Sequence, residues 1–253
     1  MSANQRKILT IGIPTYKRPD SLAKLLTIIA NTPEFYLNSE IMVLNDSGTK
    51  DFDEGYDHAL KYGKDLKIDY LRNETNIGFA RSFCKLIQEC KTTYLLLMAD
   101  DDILLKDHFS DILIFLKEKN PDLLSPQWLF KDGRFMRGIM EARKVEPEEY
   151  RHCCGHAPGV IFNVEKARKF VNLVQGRINI NCAATLTYPL VSFSIPLILS
   201  YNNCWWFGKP IAMEGDACAS GIKDAHGYHY STLASSVSLL RQSAKNAITN
   251  RFS

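Results

Sequence analysis

The residues that constrain the fold most strongly are TYLLLMADDDIL, positions 93 to 104, where an apolar run meets a block of acids. Residues 94 to 98 are apolar or aromatic throughout, which is typical of a strand buried on both faces. Three aspartates soon follow, Asp100, Asp101 and Asp102, and the stretch contains no basic residue to neutralise them. Because adjacent carboxylates repel one another, the sequence raises the question of which group faces them.

Length and composition are those of a globular protein. The chain has 253 residues, of which 45% are hydrophobic and 23% are charged. Its net charge of +3 is too small to favour nucleic-acid binding. The seven cysteines form an irregular set, and no secretory signal precedes the strand-like segment that starts at residue 7. These features predict reduced thiols and a cytoplasmic location.

Strand-like and helix-like segments alternate through the first half of the chain. Residues 7–14, 40–48, 66–73 and 93–98 are predicted to form strands, and residues 18–30, 51–63, 79–90 and 106–120 to form helices. This alternation predicts an α/β fold with a mostly parallel sheet that is covered by helices on both faces. Ligands of such sheets bind beyond the carboxyl ends of the strands.

Polar residues follow three of these strands, so we expect them to meet at one edge of the sheet. Asp46 follows the second strand, Arg72 and Asn73 follow the third, and the three aspartates follow the fourth. A single aspartate after a strand usually forms a turn or caps a helix, but three in a row would crowd one cap. Carboxylates without nearby cysteine or histidine favour Mg²⁺ or Mn²⁺ over zinc.

No glycine-rich phosphate-binding motif accompanies this acidic cluster. The chain contains neither GxxxxGK[ST] nor GxGxxG, which argues against a P-loop nucleotidase and against a dinucleotide-binding enzyme. We therefore expect substrate phosphates to be bound mainly by the cation and by loop residues.

Four motifs occur in a fixed order: IGIPTYKRPDSLAKLL (11–26), VLNDSGT (43–49), NETNIGFARSF (73–83) and YLLLMADDDIL (94–104). In order and spacing they resemble the family 2 nucleotide-sugar glycosyltransferases of GT-A fold. The resemblance covers residues 7–120 well and residues 153–170 loosely. It implies a single GT-A domain over 1–253, with a nucleotide-sugar-binding half at about 1–125 and an acceptor half at about 126–253 that includes a C-terminal helical segment.

Carried over to this sequence, the resemblance implies two groups of site residues. The residues implied in binding the nucleotide sugar are Pro14, Thr15, Tyr16, Arg18, Asp46, Asn76, Gly78, Arg81 and Asp100. Among these, Asp46 would accept hydrogen bonds from the base, and Arg18 would face the diphosphate. Asp101 is the implied metal ligand with Asp102 as the alternative, because Ala99 stands where many members have a further acidic residue.

Transfer with inversion, which we expect, needs a base to take the proton of the acceptor hydroxyl. The resemblance implies a base on the acceptor side, but residues 178–208 carry no charge. The candidates that remain are Asp216 first, His156 second and Glu214 third, although an aspartate beside a glycine is more often a turn residue. The cluster HCCGH (152–156) also suggests zinc, but its spacing is unlike that of structural zinc sites.

The predicted function is metal-dependent transfer of a sugar from a nucleotide-diphosphate sugar, with UDP as the family default, to a glycan or lipid-linked acceptor. The resemblance implies a place in bacterial polysaccharide or O-antigen synthesis. A sugar-1-phosphate nucleotidyltransferase is one alternative, against which the glycine-free loop PTYKRPDS (14–21) argues. A catalytically silent protein that binds sugar nucleotides or carbohydrate is another.

The uncharged stretch at 178–208 is predicted to contain a buried helix of the acceptor half, with its most apolar part at 190–199. Two prolines and several polar residues argue against a transmembrane span. A peripheral contact with the inner face of the plasma membrane is the alternative, because Trp205, Trp206 and Phe207 cluster as interfacial anchors do. The basic, amphipathic segment 236–253 is either solvated surface or a second membrane contact.

Overall fold

The computed structural model describes residues 6–136, 139–154 and 158–215. Within these residues, nine strands form one sheet. The strands are β1 (Leu9–Thr15), β2 (Ser39–Asn45), β3 (Ile68–Arg72), β4 (Tyr94–Leu97), β5 (Ile103–Leu104), β6 (Leu123–Leu129), β7 (Arg143–Lys144), β8 (Ile161–Asn163) and β9 (Cys204–Met213). Their order across the sheet is β3-β2-β1-β4-β8-β6-β9-β5, and β7 pairs with β9.

Ten α-helices accompany the sheet in the described part of the chain. They are α1 (Pro19–Ala30), α2 (Pro33–Asn38), α3 (Asp53–Tyr62), α4 (Phe79–Glu89), α5 (Phe109–Lys119), α6 (Tyr150–Cys153), α7 (Val164–Arg168), α8 (Val171–Asn179), α9 (Ala183–Thr187) and α10 (Pro189–Tyr201). Helix α1 illustrates the local rules, since it begins at a proline and buries Leu22, Leu25 and Leu26 on one face.

The first half of the chain has the predicted architecture. Strands β3, β2, β1 and β4 are parallel neighbours, and the four predicted helices connect or follow them in the chain. The sequence pattern misses helix α2, because its six residues are too few to show a helical period. The carboxyl ends of β1, β2 and β4 therefore lie side by side.

Side chains alternate between two hydrophobic clusters, one on each face of the sheet. In β2, Met42 and Leu44 pack in the cluster that contains α4, whereas Ile41 and Val43 pack in the cluster that contains α1. Strand β4 divides its side chains in the same way. Helices thus cover both faces of the sheet, as the continuous hydrophobicity of the strands predicts.

The second half of the chain extends the sheet with mixed directions. Strand β8 runs antiparallel to β4 and β6, whereas β9 runs parallel to β6. The short strand β5, which directly follows the three aspartates, pairs antiparallel with the end of β9, where Ile103 lies opposite Met213. The acidic cluster is therefore tied to the last described residues of the chain.

The uncharged stretch forms the predicted buried helix, α10, and then enters β9. Trp206 and Phe207 are buried, and Trp205 is half-buried with its ring 5.6 Å from that of Phe115. This arrangement does not support the idea of an aromatic membrane anchor, because Trp206 and Phe207 lie in the protein core. Among the described residues, no helix combines the length and the apolarity that crossing a membrane requires.

Most of the described cysteines are buried. Cys84, Cys90, Cys153 and Cys204 are buried free thiols, Cys182 is a partly exposed free thiol, and Cys154 is buried with its sulfur 3.8 Å from that of Cys153. Cys218 and the basic segment 236–253 lie outside the described residues.

A charged cluster joins the second-half strands to the loop before α6. Arg143 donates two hydrogen bonds to the Glu149 carboxylate, of 2.8 and 2.6 Å, and the Trp206 indole donates a third of 3.1 Å. The hydrogen bonds from Arg143 are the main reason that the pKa of Glu149 falls from 4.5 to about 2. Glu149 thus connects β7, its own turn and β9.

Replacing this carboxylate by an amide should destabilise the protein near neutral pH. Glu149→Gln is expected to lower the free energy of unfolding by about 1–3 kcal/mol, the usual worth of hydrogen bonds to a charged group. The folded-state pKa lies below the ordinary value, so the charged form stabilises the fold above about pH 4.5 and loses this effect as pH falls towards 2. Urea titrations at several pH values should show the difference from wild type shrinking across that window.

The matched control for this measurement is Glu148→Gln, at the exposed neighbouring position. Its unfolding curve at pH 7 should lie close to that of the wild type. Identical curves for Glu149→Gln and wild type at pH 7 would contradict the role given to the cluster.

Candidate active site at the carboxyl edge of the sheet

A cleft of about 310 Å³ lies at the carboxyl ends of β1, β2 and β4. Its walls come from the loop after β1, the turn after β2, the start of α4 and the end of β4. The lining residues are Pro14, Thr15, Tyr16, Arg18, Asp46, Asn76, Gly78, Phe79, Ser82, Leu97, Ala99, Asp100 and Asp101. Most of the residues implied in nucleotide-sugar binding therefore share one cavity, together with the first two aspartates of the acidic cluster.

The guanidinium group of Arg18 faces two of the three aspartates. Its Nη1 donates to Oδ2 of Asp101 at 2.6 Å and lies 3.3 Å from Oδ1 of Asp100. The hydroxyl of Thr15 donates to the other oxygen of Asp100 at 2.7 Å. The loop after β1 thus supplies the positive charge that the acidic stretch lacks, and these bonds fix that loop to the end of β4.

Burial raises the pKa of two carboxyl groups in this cluster, those of Asp100 and Asp102. Asp100 is only 5% exposed, and desolvation raises its pKa from 3.8 to about 6, although Thr15 and Arg18 favour its charged form. Desolvation also raises the pKa of Asp102 to about 6. Poorly hydrated carboxylates are stabilised by a cation placed beside them, so this end of the cleft is suited to a second positive charge.

Asp102 connects the acidic cluster to the end of β9. Its Oδ1 accepts a hydrogen bond from the backbone nitrogen of Gly215 at 3.1 Å. The two backbones approach so closely that a side chain at position 215 would collide with the carbonyl oxygen of Asp101, so only glycine fits there. Asp102 therefore serves a structural contact, and it does not line the cleft described above.

Asp46 holds the loop that precedes α4. Its buried carboxylate accepts hydrogen bonds from Nδ2 of Asn73 at 2.8 Å and from the backbone nitrogens of Ile77 at 2.9 Å and Gly78 at 2.8 Å. Gly78 has a φ of +81°, a conformation that favours glycine. A carboxylate has about four acceptor positions, so three are used within the protein and one remains for the base contact that the resemblance implies.

The other predicted residues are distributed as follows. Arg81 is exposed and does not line the cleft; its Nη2 donates to Oδ1 of Asn179 on α8 at 3.2 Å. Glu214 accepts a hydrogen bond from the backbone nitrogen of Lys131 at 3.2 Å and lies close enough to Asp102 to raise its pKa. Asp216 and His156 lie outside the described residues, and with them part of the HCCGH cluster.

Sequence reasoning did not identify one wall of the cleft, which is formed by Phe79 and Ser82 of α4 with Leu97 and Ala99 of the β4 end. The alternation along β4 is a usable signal, because Leu97 packs on the α4 side of the sheet and Ala99 follows it by two residues. Tyr56 was also missed. Its buried hydroxyl accepts a hydrogen bond from the backbone of Arg18, and nothing in the sequence of α3 marks it.

A wider groove of about 940 Å³ lies at the opposite edge of the sheet, at the amino ends of the first-half strands. Lys7, Lys67, Lys91 and Lys117 are among the residues that line it. It lacks the acidic cluster and the loops that follow the strands, so the smaller cleft is the candidate active site. Within the described residues, no three His, Cys, Asp or Glu side chains are arranged to hold a metal ion.

Comparison with known proteins identifies the family of the chain. Residues 10–159, more than half of the chain and including every residue that lines the cleft, match the model of glycosyl transferase family 2. The chain therefore belongs to this family, as its four motifs predict.

Individual relatives are more distant. Abequosyltransferase RfbV of Salmonella typhimurium is 29% identical over 109 residues, which are 43% of this chain and 32% of RfbV. The structure of S. aureus TarS 1-349 has a TM-score of 0.63 at 19% identity, over 83% of this chain and 60% of that one. Mannosyltransferase PcManGT from Pyrobaculum calidifontis has a TM-score of 0.57 at 10% identity, over 86% and 59%.

These structural similarities establish the fold, which is the predicted GT-A fold. The chain spans about a third of the length of RfbV and about 60% of the lengths of the two structures.

The contacts of Asp46 predict that this carboxylate orders the loop at one end of the cleft. Asp46→Ala should increase the hydrogen-exchange rate of the Ile77 amide, which loses its acceptor, and should affect the Gly78 amide less, because Gly78 keeps a 2.8 Å hydrogen bond to Oδ1 of Asn76. It should also weaken nucleoside diphosphate binding by about 1–3 kcal/mol. Exchange measured by mass spectrometry, together with calorimetry, tests both expectations.

The control is Asp53→Ala, which removes an ion pair with Arg72 that lies at the surface. It should leave exchange at positions 77 and 78 as in the wild type. Unchanged exchange and affinity in a folded Asp46→Ala variant would remove Asp46 from the site.

Proposed function

We propose that this protein transfers a sugar from a nucleotide-diphosphate sugar to a hydroxyl of a glycan or lipid-linked acceptor. The observation that carries the proposal is the composition of the cleft. One part has apolar walls and a loop held by Asp46, which suits a nucleoside, and the other part presents Arg18 with two carboxylates, which suits a diphosphate and a cation. Membership of glycosyl transferase family 2 supports the same chemistry.

For the donor we propose a UDP-sugar, and for the pathway bacterial polysaccharide or O-antigen synthesis. TarS has been solved in complex with UDP-GlcNAc, and PcManGT with GDP-Man and Mn²⁺. RfbV is an abequosyltransferase. We further propose a cytoplasmic location with peripheral membrane contact, which would bring the site to a lipid-linked acceptor. Such a contact would use surfaces other than Trp206 and Phe207, since both are buried.

The cofactor that we propose is Mn²⁺ or Mg²⁺. The residues present fit such a cation, because carboxylate oxygens are the ligands that Mn²⁺ and Mg²⁺ prefer. One or two carboxylates suffice when substrate phosphates complete the coordination, so a protein site of three ligands is not required. Asp101 is our first choice of ligand because it lines the cleft and is partly exposed, whereas Asp102 bonds to Gly215. When bound, the cation would neutralise charge on the departing diphosphate.

Residues of the chain would bind the diphosphate, position Asp100 and take the proton of the acceptor hydroxyl. Arg18 would turn part of its hydrogen bonding from Asp101 to diphosphate oxygens, since a guanidinium group binds both kinds of oxygen well. Thr15 would hold Asp100 in place through the 2.7 Å hydrogen bond. A base would take the proton of the acceptor hydroxyl as it attacks, with inversion at the sugar carbon.

Activity is expected to depend on a divalent cation and on Asp101. Chelation with EDTA should abolish transfer, and Mn²⁺ or Mg²⁺ should restore it. Asp101→Asn should lose both transfer and the cation-dependent part of nucleoside diphosphate binding, because it removes an anionic ligand but keeps the shape of the side chain. Transfer assays and calorimetry with and without Mn²⁺ measure both effects.

Two further variants sharpen this experiment. Asp107→Asn, at an exposed aspartate beyond β5, should behave as the wild type. If Asp102→Asn loses the cation-dependent part of nucleoside diphosphate binding while Asp101→Asn keeps it, Asp102 is the ligand. Full transfer in EDTA would refute metal dependence altogether.

The base is expected to be Asp216, with His156 second and Glu214 third. Asp216 directly follows Gly215, whose backbone nitrogen bonds to Asp102 at the acidic end of the site. Because a base acts only when the hydroxyl attacks, Asp216→Asn should keep the affinity for the nucleotide sugar and lower transfer by about 10²–10⁴-fold. Single-turnover kinetics and calorimetry separate the two quantities.

His156→Ala and Glu214→Gln are the parallel variants. A drop in transfer confined to one of them would assign the base to that residue instead. A wild-type protein that binds the nucleotide sugar but transfers sugar to no acceptor would favour a silent binding protein over an enzyme.

A further inference from the structure

Ser82 stands out among the residues that line the cleft. It lies on the first turn of α4 and is only 1% exposed. Its hydroxyl oxygen has no hydrogen-bond partner among the described residues. The side chain nevertheless belongs to the wall of the cleft, beside Phe79 and Leu97.

A buried hydroxyl without a partner is unfavourable, because it has lost its bonds to water and gained none in return. The cost is about 1–3 kcal/mol. A serine in a helix usually avoids this by bonding to the carbonyl oxygen four residues earlier, which here is that of Gly78. In this structure the Gly78 carbonyl accepts the backbone nitrogen of Ser82 at 3.0 Å, and the hydroxyl makes no such bond. A residue of the cleft wall thus carries a hydroxyl whose capacity to donate and to accept is unused within the described residues.

The position of Ser82 indicates which part of such a molecule it would meet. Ser82 lies one helical turn beyond Gly78, whose backbone nitrogen is bonded to Asp46. The positive charge of Arg18 and the carboxylates of Asp100 and Asp101 mark the other part of the cleft. Ser82 thus belongs to the uncharged part, together with the apolar residues Phe79, Leu97 and Ala99.

We propose that Ser82 is a specificity residue whose hydroxyl hydrogen-bonds the nucleoside portion of the donor. This inference rests on the proposed function, because it takes a nucleotide sugar as the occupant of the cleft. A hydroxyl can both donate and accept, so it can pair with a carbonyl, a ring nitrogen or an amino group on a base edge, or with a ribose hydroxyl. Binding would relieve the unfavourable burial of this group, and the gain would appear as affinity.

The test begins with the wild-type protein and four ligands, the 5′-diphosphates of uridine, cytidine, guanosine and deoxythymidine, in the presence of Mn²⁺. Calorimetry identifies the nucleoside that binds most tightly. The monophosphate and the diphosphate of that nucleoside are then titrated into Ser82→Ala. We expect both affinities to fall by the same factor, about 3- to 10-fold, which corresponds to one neutral hydrogen bond.

Thermal unfolding without ligand provides the second measurement. Ser82→Ala should be at least as stable as the wild type, because it removes a buried group that has no partner. Ser192→Ala is the matched control, since Ser192 is fully buried in α10 and its hydroxyl pairs with that of Thr185 at 3.0 Å. This control should show the opposite pattern, with lower stability and unchanged nucleotide affinity.

The outcomes separate this inference from the proposed function. Wild-type binding combined with unchanged affinity in Ser82→Ala overturns the role of Ser82 alone. A loss that appears with the sugar-bearing donor but not with the mono- and diphosphates also overturns it, because the hydroxyl would then contact the sugar. A wild type that binds none of the four nucleotides overturns the proposed function and this inference with it.

Discussion

Three consecutive aspartates at the end of a buried central strand are the constraint on which this edge of the protein depends. Their charges need partners, and the partners come from distant parts of the chain. Arg18, in the loop after β1, bonds to Asp101 and lies beside Asp100. Gly215, after β9, donates its backbone nitrogen to Asp102. The contacts of the three aspartates therefore connect the loop after β1 to the last described residues of the chain.

The position of β4 makes this arrangement effective. Neighbours on both sides pair with β4, and hydrophobic clusters cover both of its faces, so water has little access to Asp100. Charge interactions are stronger where water is excluded, and unbalanced charge is correspondingly less favourable. The raised pKa values of Asp100 and Asp102 show that the loss of water around the charged carboxylates outweighs the hydrogen bonds and charges that favour them. A site of this kind accommodates added positive charge, whether that of Arg18 or that of a cation.

The two ends of the cleft are built on different physical principles. Asp46 is buried and has three protein partners, so its main effect is to fix the loop that carries Gly78. Ser82 is equally buried and has no partner in the described part of the chain, which is the observation behind the role that we propose for it. In our proposal, Asp46 shapes the cleft and Ser82 helps to select the nucleoside that enters it. This distinction separates residues whose replacement disturbs the loop from residues whose replacement changes affinity alone.

The sequence by itself determined the elements of the first half, because strand and helix periods are local properties of the chain. It also indicated that Asp46 and Asp100 meet at one edge, since consecutive parallel strands align their carboxyl ends. Only the tertiary structure decided that Arg18 faces Asp100 and Asp101, that Asp102 turns to Gly215, and that Arg81 points to Asn179. It likewise revealed Tyr56 and Ser82. Each of these contacts joins residues that are distant in the chain or depends on which neighbours a side chain lacks, and no local pattern of residues encodes either property.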